Sequence, residues 1–228
     1  MHTPKASLPS TTFHKTKTFS RLIATQFARL FKMDVEKNGG ATERQTGVVD
    51  LSTYQNNHYD PGKNLAVRMA WGIVNVLFFR NPTFTFYQPK SWLLRMFGCT
   101  VGERVVIKPC VNIKYPWHLT IGDNSWIGEN VWIDNLTSVK IGNHVCISQG
   151  AMLLTGNHNY KTKSFDLIIG SIQIKDGAWV GAKSTVGPGV VCDSHSVLAV
   201  GSVATDNLQA YKIYQGNPAV AVREREIT

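Results

Sequence analysis

Residues 101–154 read VGERVVIKPCVNIKYPWHLTIGDNSWIGENVWIDNLTSVKIGNHVCISQGAMLL, and an aliphatic residue recurs through them at a step of six. Val101, Ile107 and Ile113 form one triplet, Ile121, Ile127 and Ile133 the next, and Ile141, Ile147 and Leu153 a third. The series resumes downstream with Ile174, Val180, Val186, Cys192 and Leu198, so thirteen of the fourteen positions are Val, Ile or Leu. A fixed internal period outranks local propensity, because it marks one small unit stacked on copies of itself. The triplets begin at 101, 121 and 141, so each unit is three hexads plus two residues. Six residues suit a short strand and a tight turn, and three such steps close one triangular coil of a parallel β-helix. An alternating-strand sandwich requires a period of two with variable turn spacing, which the steady six excludes.

Four positions after the aliphatic residue the side chain is often small or β-branched, as at Val105, Val111, Ser125, Val131, Thr137, Val145, Ala151, Ser184 and Ser202. This second position is expected to share the narrow axis. Glycine follows the aliphatic residue at Gly102, Gly122, Gly128, Gly142, Gly181 and Gly187, where a close backbone approach leaves no room for a side chain. The regularity stops between His158 and Ser171 in a polar stretch that cannot continue the stack. Excursions from a rigid scaffold are where functional residues concentrate. Upstream, Leu65–Phe79 and Trp92–Phe97 read as helices separated by Asn81-Pro82 and Gln88-Pro89. The first is apolar almost all round, which suits packing on the solenoid or a neighbouring subunit, and capping of an open coil edge, more than it suits docking on a membrane surface. The resulting organisation is a basic, flexible extension at 1–45, a helical capping region at 46–100, the β-helix at 101–210 with its loop at 158–171, and a C-terminal segment at 211–228.

The 228 residues are 43% hydrophobic and only 17% charged, which excludes general disorder. The best apolar run, Met69 to Phe79, is closed by Arg68 and Arg80 and is too short for a membrane span. Cys99, Cys110, Cys146 and Cys192 are widely spaced with no CxxC pair. That pattern fits neither a zinc knuckle nor a disulfide scaffold and points to a reducing cytoplasm. Of the net charge of +9, five units come from residues 1–45, with eight Lys or Arg against three acids. Such an arm suits contact with an anionic membrane or nucleic acid as well as it suits a solvated tail. Phe13 to Met33, basic and free of acids, also has the character of a transit peptide without a marked cleavage site.

The chain resembles the hexapeptide-repeat, left-handed β-helix O-acetyltransferases, which include the galactoside and maltose acetyltransferases. It is similar above all to the colanic acid biosynthesis acetyltransferase branch, through Tyr115-Pro116-Trp117, Ile147-Ser148-Gln149, Thr155-Gly156-Asn157-His158 and Gly216-Asn217-Pro218-Ala219. The likeness begins near Val48-Asp50-Leu51-Ser52 and covers about four-fifths of the chain; residues 1–45 lie outside it. The resemblance implies an all-β, left-handed β-helix with an N-terminal helical segment, and a homotrimer whose active sites form between subunits. It implies acetyl-CoA as acyl donor and a sugar or glycan hydroxyl as acceptor. Transfer of this kind needs a base for the hydroxyl and an oxyanion site for the tetrahedral intermediate, and histidine suits the first task near neutral pH.

His158 matches the family's catalytic base. His118, His144 and His195 occupy regular hexads instead. The family's ring-orienting asparagine falls on Asp134, with Asn135 beside it; a carboxylate there could accept the Nδ1 proton. Trp179-Val180-Gly181-Ala182 matches the stretch that lies along the pantetheine arm, with Ala182 in place of a serine whose main-chain N–H faces the thioester. Gly201 and Ser202 match the coil backbone that binds the pantetheine amides. Asp206 replaces a basic residue near the phosphates, a charge that Arg223 or Arg225 would supply. Trp179 suits a subunit interface equally well. No metal is required, and the related solenoid carbonic anhydrases need a set of zinc-binding histidines that His158 does not have beside it. Two other functions fit the same residues: acetylation of a non-sugar acceptor, and a non-enzymatic scaffold with a basic arm that contacts membrane or nucleic acid. The scaffold would need neither His158 nor the Trp179 stretch, and no nucleic-acid-binding motif accompanies the arm.

Overall fold

A hexad leaves two or three residues for a strand, and the strands are that short. The structure, a computed structural model, describes residues 47–228; the basic segment at 1–45 lies outside them. Successive hexads fall on three faces in rotation. The first face stacks Thr100–Val101, Leu119–Ile121, Val139–Ile141, Ile172–Ile174 and Val191–Cys192 in parallel. The second stacks Val106–Ile107, Trp126–Ile127, Cys146–Ile147, Trp179–Val180, Val197–Leu198 and Lys212–Gly216. The third stacks Asn112–Ile113, Trp132–Asp134, Met152–Leu154, Thr185–Val186 and Val203–Ala204. The chain is a left-handed parallel β-helix of about six turns. Its second face is closed by the antiparallel strand Ala219–Glu224.

All fourteen hexad positions are buried inside the triangle. Of the small residues four places on, Thr137 alone is only half-buried. The serines among them bond to the neighbouring coil: Ser125 Oγ donates to the Gly142 carbonyl at 2.7 Å, and Ser184 Oγ to that of Ala199 at 2.7 Å. Gly181 illustrates why glycine follows the aliphatic residue, since a Cβ there would lie 2.6 Å from the Leu198 carbonyl oxygen of the next coil.

The helical part is built to finish the open end. In each coil the N–H groups point onward, as when Gly102, Lys108 and Lys114 donate to the carbonyls of Ile121, Ile127 and Ile133. The carbonyls of Val101, Ile107 and Ile113 therefore face an edge with no preceding coil, and buried carbonyls without donors are costly. Three side chains supply the donors, one per face. Arg95 bonds the Val101 and Gly102 carbonyls at 2.8–3.1 Å. Lys90 Nζ reaches those of Ile107 and Lys108 at 3.3 and 3.0 Å, and Trp71 Nε1 that of Ile113 at 2.9 Å. Trp71 lies on α1 (Leu65–Val74), capped by Asn64 Oδ1. The helix continues as a π-helical turn, Asn75–Phe79, which seats Phe79 against Trp71. Lys90 and Arg95 lie on α2 (Tyr87–Met96).

This second helix begins five residues before the sequence expectation, with Pro89 inside its first turn. A proline is tolerated there because the N–H it lacks would have no intrahelical acceptor. The nearly all-round apolar character of the first helix also resolves unevenly: Trp71 and Phe79 are buried, while Leu65, Met69 and Ile73 form an exposed row. None of the described helices is long and apolar enough to cross a membrane.

Burial of Lys90 pushes its pKa down from 10.5 to about 8. Between those values the unfolded chain binds the proton more readily than the folded one, so Lys90 adds stability as pH rises from about 8 toward 10.5. The melting temperature of the wild-type protein should accordingly gain on that of Lys90→Met across this window. A constant difference between the two would contradict the buried-ammonium picture.

Candidate active site

Where the third coil ends, Thr155 turns inward, fully buried, and donates its hydroxyl to the Asp134 carbonyl at 2.9 Å. The chain then leaves the triangle as an antiparallel hairpin, Gly156–His158 against Leu167–Ile169, in the place of the expected loop. A segment from the N-terminal side straps it down. The Asp50 N–H donates to the Lys163 carbonyl at 2.9 Å, Lys163 pairs with Asp50 at 3.3 Å, and His58 Nε2 lies 3.1 Å from the Leu167 carbonyl. Tyr59 donates its hydroxyl to the Leu136 carbonyl at 3.2 Å.

Hairpin, strap and coil edge enclose a cleft of about 710 Å³, lined by His158, Asp134, Lys114, Tyr115, Arg68, Tyr59 and Tyr54 among others. His158 is held from three directions. Its Nδ1 lies 2.9 Å from the Phe165 carbonyl, its ring stacks on that of Phe165 (4.7 Å, 9°), and its main-chain N–H donates to Asn157 Oδ1 at 2.8 Å. A carbonyl accepts but cannot donate, so Nδ1 carries a proton, and in the neutral ring the lone pair is the one on Nε2.

The partner expected for the ring is engaged otherwise. Asp134 lines the same cleft but pairs with Lys114 at 3.0 Å. The hairpin, which sequence reasoning treated as an irregular excursion, brings a main-chain carbonyl to Nδ1 first. Asn135 is fully buried, and its amide spans two coils: Oδ1 accepts from the Tyr115 N–H at 3.0 Å and Nδ2 donates to the Tyr115 carbonyl at 2.6 Å. It holds Tyr115 at the rim and has no amide atom facing the cleft.

The residues expected to hold the acyl donor do not line this cleft. Trp179 stands half-exposed on the second face, its indole donating to Ser148 Oγ at 2.9 Å. Gly181 and Ala182 turn the corner after it, and the Ala182 N–H has no backbone acceptor among the described residues. Gly201, exposed and at φ +68°, donates to the Ala182 carbonyl at 2.9 Å. Ser202 faces inward, its hydroxyl accepting the Gly216 N–H at 3.1 Å and both its backbone groups bonded within the coil stack. Arg223 is exposed on the last strand. Arg225 is spent on the fold, its guanidinium donating to the Gly177 and His195 carbonyls at 2.9 and 3.0 Å. Among the described residues no three His, Cys, Asp or Glu side chains converge as a metal site.

Tyr54, Tyr59, Arg68 and Lys114 were not singled out from the sequence. Tyr54 and Tyr59 follow the Val48–Ser52 stretch where the family likeness begins, and Lys114 precedes its Tyr115-Pro116-Trp117 motif. Arg68 carries no such signal.

No protein-family model matches the chain. It is 36% identical over 164 residues to a protein named colanic acid biosynthesis acetyltransferase WcaF from Escherichia coli, covering 72% of this chain and 90% of the relative. It is 29% identical over 140 residues to the galactoside O-acetyltransferase of the same organism, covering 60% and 69%. Among solved structures it matches a hexapeptide-repeat acetyltransferase from Vibrio cholerae, complexed with acetyl coenzyme A, at a TM-score of 0.66 and 21% identity, over 77% of this chain and 97% of that one.

Proposed function

The chain belongs to the hexapeptide-repeat acetyltransferases, on the branch of the colanic acid biosynthesis enzymes, and from that premise we propose that it transfers acetyl from acetyl-CoA to a sugar hydroxyl in glycan or exopolysaccharide biosynthesis, with His158 as general base. It is an acyltransferase. The observation that carries the assignment of the base is the Nδ1 contact with the Phe165 carbonyl, which in the neutral ring puts the lone pair on Nε2, on a residue that lines the cleft. In this reading Nε2 takes the proton of the acceptor hydroxyl as its oxygen attacks the thioester carbonyl carbon. The C–S bond then breaks, the acetyl group stays on the sugar oxygen, and the imidazolium returns its proton to the leaving thiolate. Charge on the intermediate would be met by the unspent Ala182 N–H.

That donor lies outside the His158 cleft, as do Trp179, Gly181 and Gly201. A single chain thus presents a base without a donor groove beside it. This supports a homotrimer in which a neighbour's second face completes the site. A scaffold protein has no use for an imidazole fixed in one tautomer. The free cysteines suit the cytoplasm, where acetyl-CoA is made available, and the exposed Leu65, Met69 and Ile73 row is where a peripheral membrane contact would fall.

The test is incubation of the purified protein with acetyl-CoA and a panel of nucleotide sugars, polysaccharide repeat units and non-sugar alcohols, following thiol release. Release that depends on a sugar acceptor is expected. Release with the non-sugar alcohols alone would move the acceptor outside glycans.

A further inference from the structure

Arginines that serve this fold spend their guanidinium groups on carbonyls, as Arg95 does at the first coil and Arg225 at the C-terminus. Arg68 does neither. It projects from α1 into the wall of the His158 cleft, its Nε is sealed from solvent without a hydrogen-bond partner, and it has no ion pair among the described residues. A partly desolvated guanidinium without an acceptor is unfavourable unless something present in the working state supplies one.

The neighbours do not supply it. The cleft's carboxylate, Asp134, has its nearest cation in Lys114, 3.0 Å from Oδ1 in an ion pair that is not aligned as a hydrogen bond, and it makes no ion pair with Arg68. Tyr59 is beside Arg68, but burial holds its phenol far above the ordinary range, so it stays neutral. The lining therefore carries two cations against one anion, with the uncompensated charge on Arg68. The cleft, at about 710 Å³, has room for a sugar and a substituent.

We propose that Arg68 is a specificity-determining residue that selects an acidic acceptor, a sugar bearing a carboxylate or phosphate group near the hydroxyl to be acetylated. The proposal rests on the acetyltransferase reading for the identity of the ligand as an acceptor, but the charge preference is measurable by itself. A guanidinium pairs either anion with charge-assisted hydrogen bonds. One such contact corresponds to a preference of about tenfold or more.

The experiment compares methyl glucuronide, glucose 1-phosphate and neutral methyl glucoside with the wild-type protein and with Arg68→Gln and Arg68→Lys. Both kcat/KM for acetyl transfer and binding by titration calorimetry are read. At least one anionic sugar should exceed the neutral one by about tenfold, the better of the two identifying carboxylate or phosphate. The ratio should fall to near one in Arg68→Gln and recover in part in Arg68→Lys, while KM for acetyl-CoA and the melting temperature stay put. Equal use or binding of the three sugars, no binding of either anion, or a ratio unchanged in Arg68→Gln would each overturn the proposal. Charge-selective binding without any acetyl transfer would sustain the anion subsite and count against the acetyltransferase reading, so the two can fail separately.

Discussion

Alanine at position 158 is expected to lower turnover by about 10²- to 10⁴-fold, the usual worth of a positioned general base. The loss should fall on kcat, with acetyl-CoA binding little changed, because the residues expected to hold the donor lie on another face of the solenoid. The fold should survive, since the His158 side chain is outside the stacked core and the hairpin keeps its main-chain pairing. Asp134→Asn separates two ways of orienting the ring. The Phe165 carbonyl occupies Nδ1, so loss of the Asp134 charge should cost far less than loss of the imidazole. A deficit equal to that of His158→Ala would show that the carboxylate governs the imidazole after all. Steady-state kinetics with saturating acceptor, together with circular dichroism of each variant, reads all of these outcomes.

Ile147→Asp is expected to destabilise the solenoid by more than about 4 kcal/mol, enough to leave little folded protein. Ile147 is fully buried at the middle of the stack, between Ile127 in the coil before and Val180 in the coil after. A carboxylate there would face a mainly aliphatic interior, and it would remove packing from both neighbours at once. Ile147→Val, which keeps the shape, should cost only about 1 kcal/mol. Chemical denaturation of the two variants checks the inward register; an unchanged midpoint for Ile147→Asp would mean that this position does not face the axis.

The period made the solenoid legible because each coil repeats the same physical problem. A narrow dry axis admits an aliphatic residue and a small one per hexad, and a close coil-to-coil approach demands glycine after the first. These constraints are local and recur every six residues, so the sequence displays them openly. The donors that close the first coil were not legible in the same way. Lys90, Arg95 and Trp71 each solve a one-time problem at the edge. A lysine on a helix reads as a solvated charge until the helix is seen lying on exposed carbonyls.

The site divides along the same line. His158 stood out as the histidine at the break in the repeat, and Asp134 does line the cleft beside it. The Phe165 carbonyl could not be anticipated, because the sequence gives no sign that residues 156–169 pair as a hairpin and fold a main-chain oxygen back onto the ring. Asn135 and Ser202 were drawn into the site by position alone. Their side chains bond backbone groups of neighbouring segments, a use of polar residues that a period of six cannot distinguish from an outward-facing one. Arg68 stayed invisible for the opposite reason: it sits in an apolar helix, where a lone arginine looks like a boundary to a hydrophobic run.

In the proposed reaction the cleft at His158 passes an acetyl group to a hydroxyl. The direct measurement is acceptor-dependent release of the coenzyme A thiol by the full-length protein, with the acetylated product identified by mass spectrometry and His158→Ala run in parallel. The expected result is one acetyl ester formed per thiol released, at a rate that falls at least about a hundredfold in the variant. Near-wild-type ester formation by His158→Ala, or acetyl-CoA consumption that yields no acylated acceptor across the panel, would contradict it.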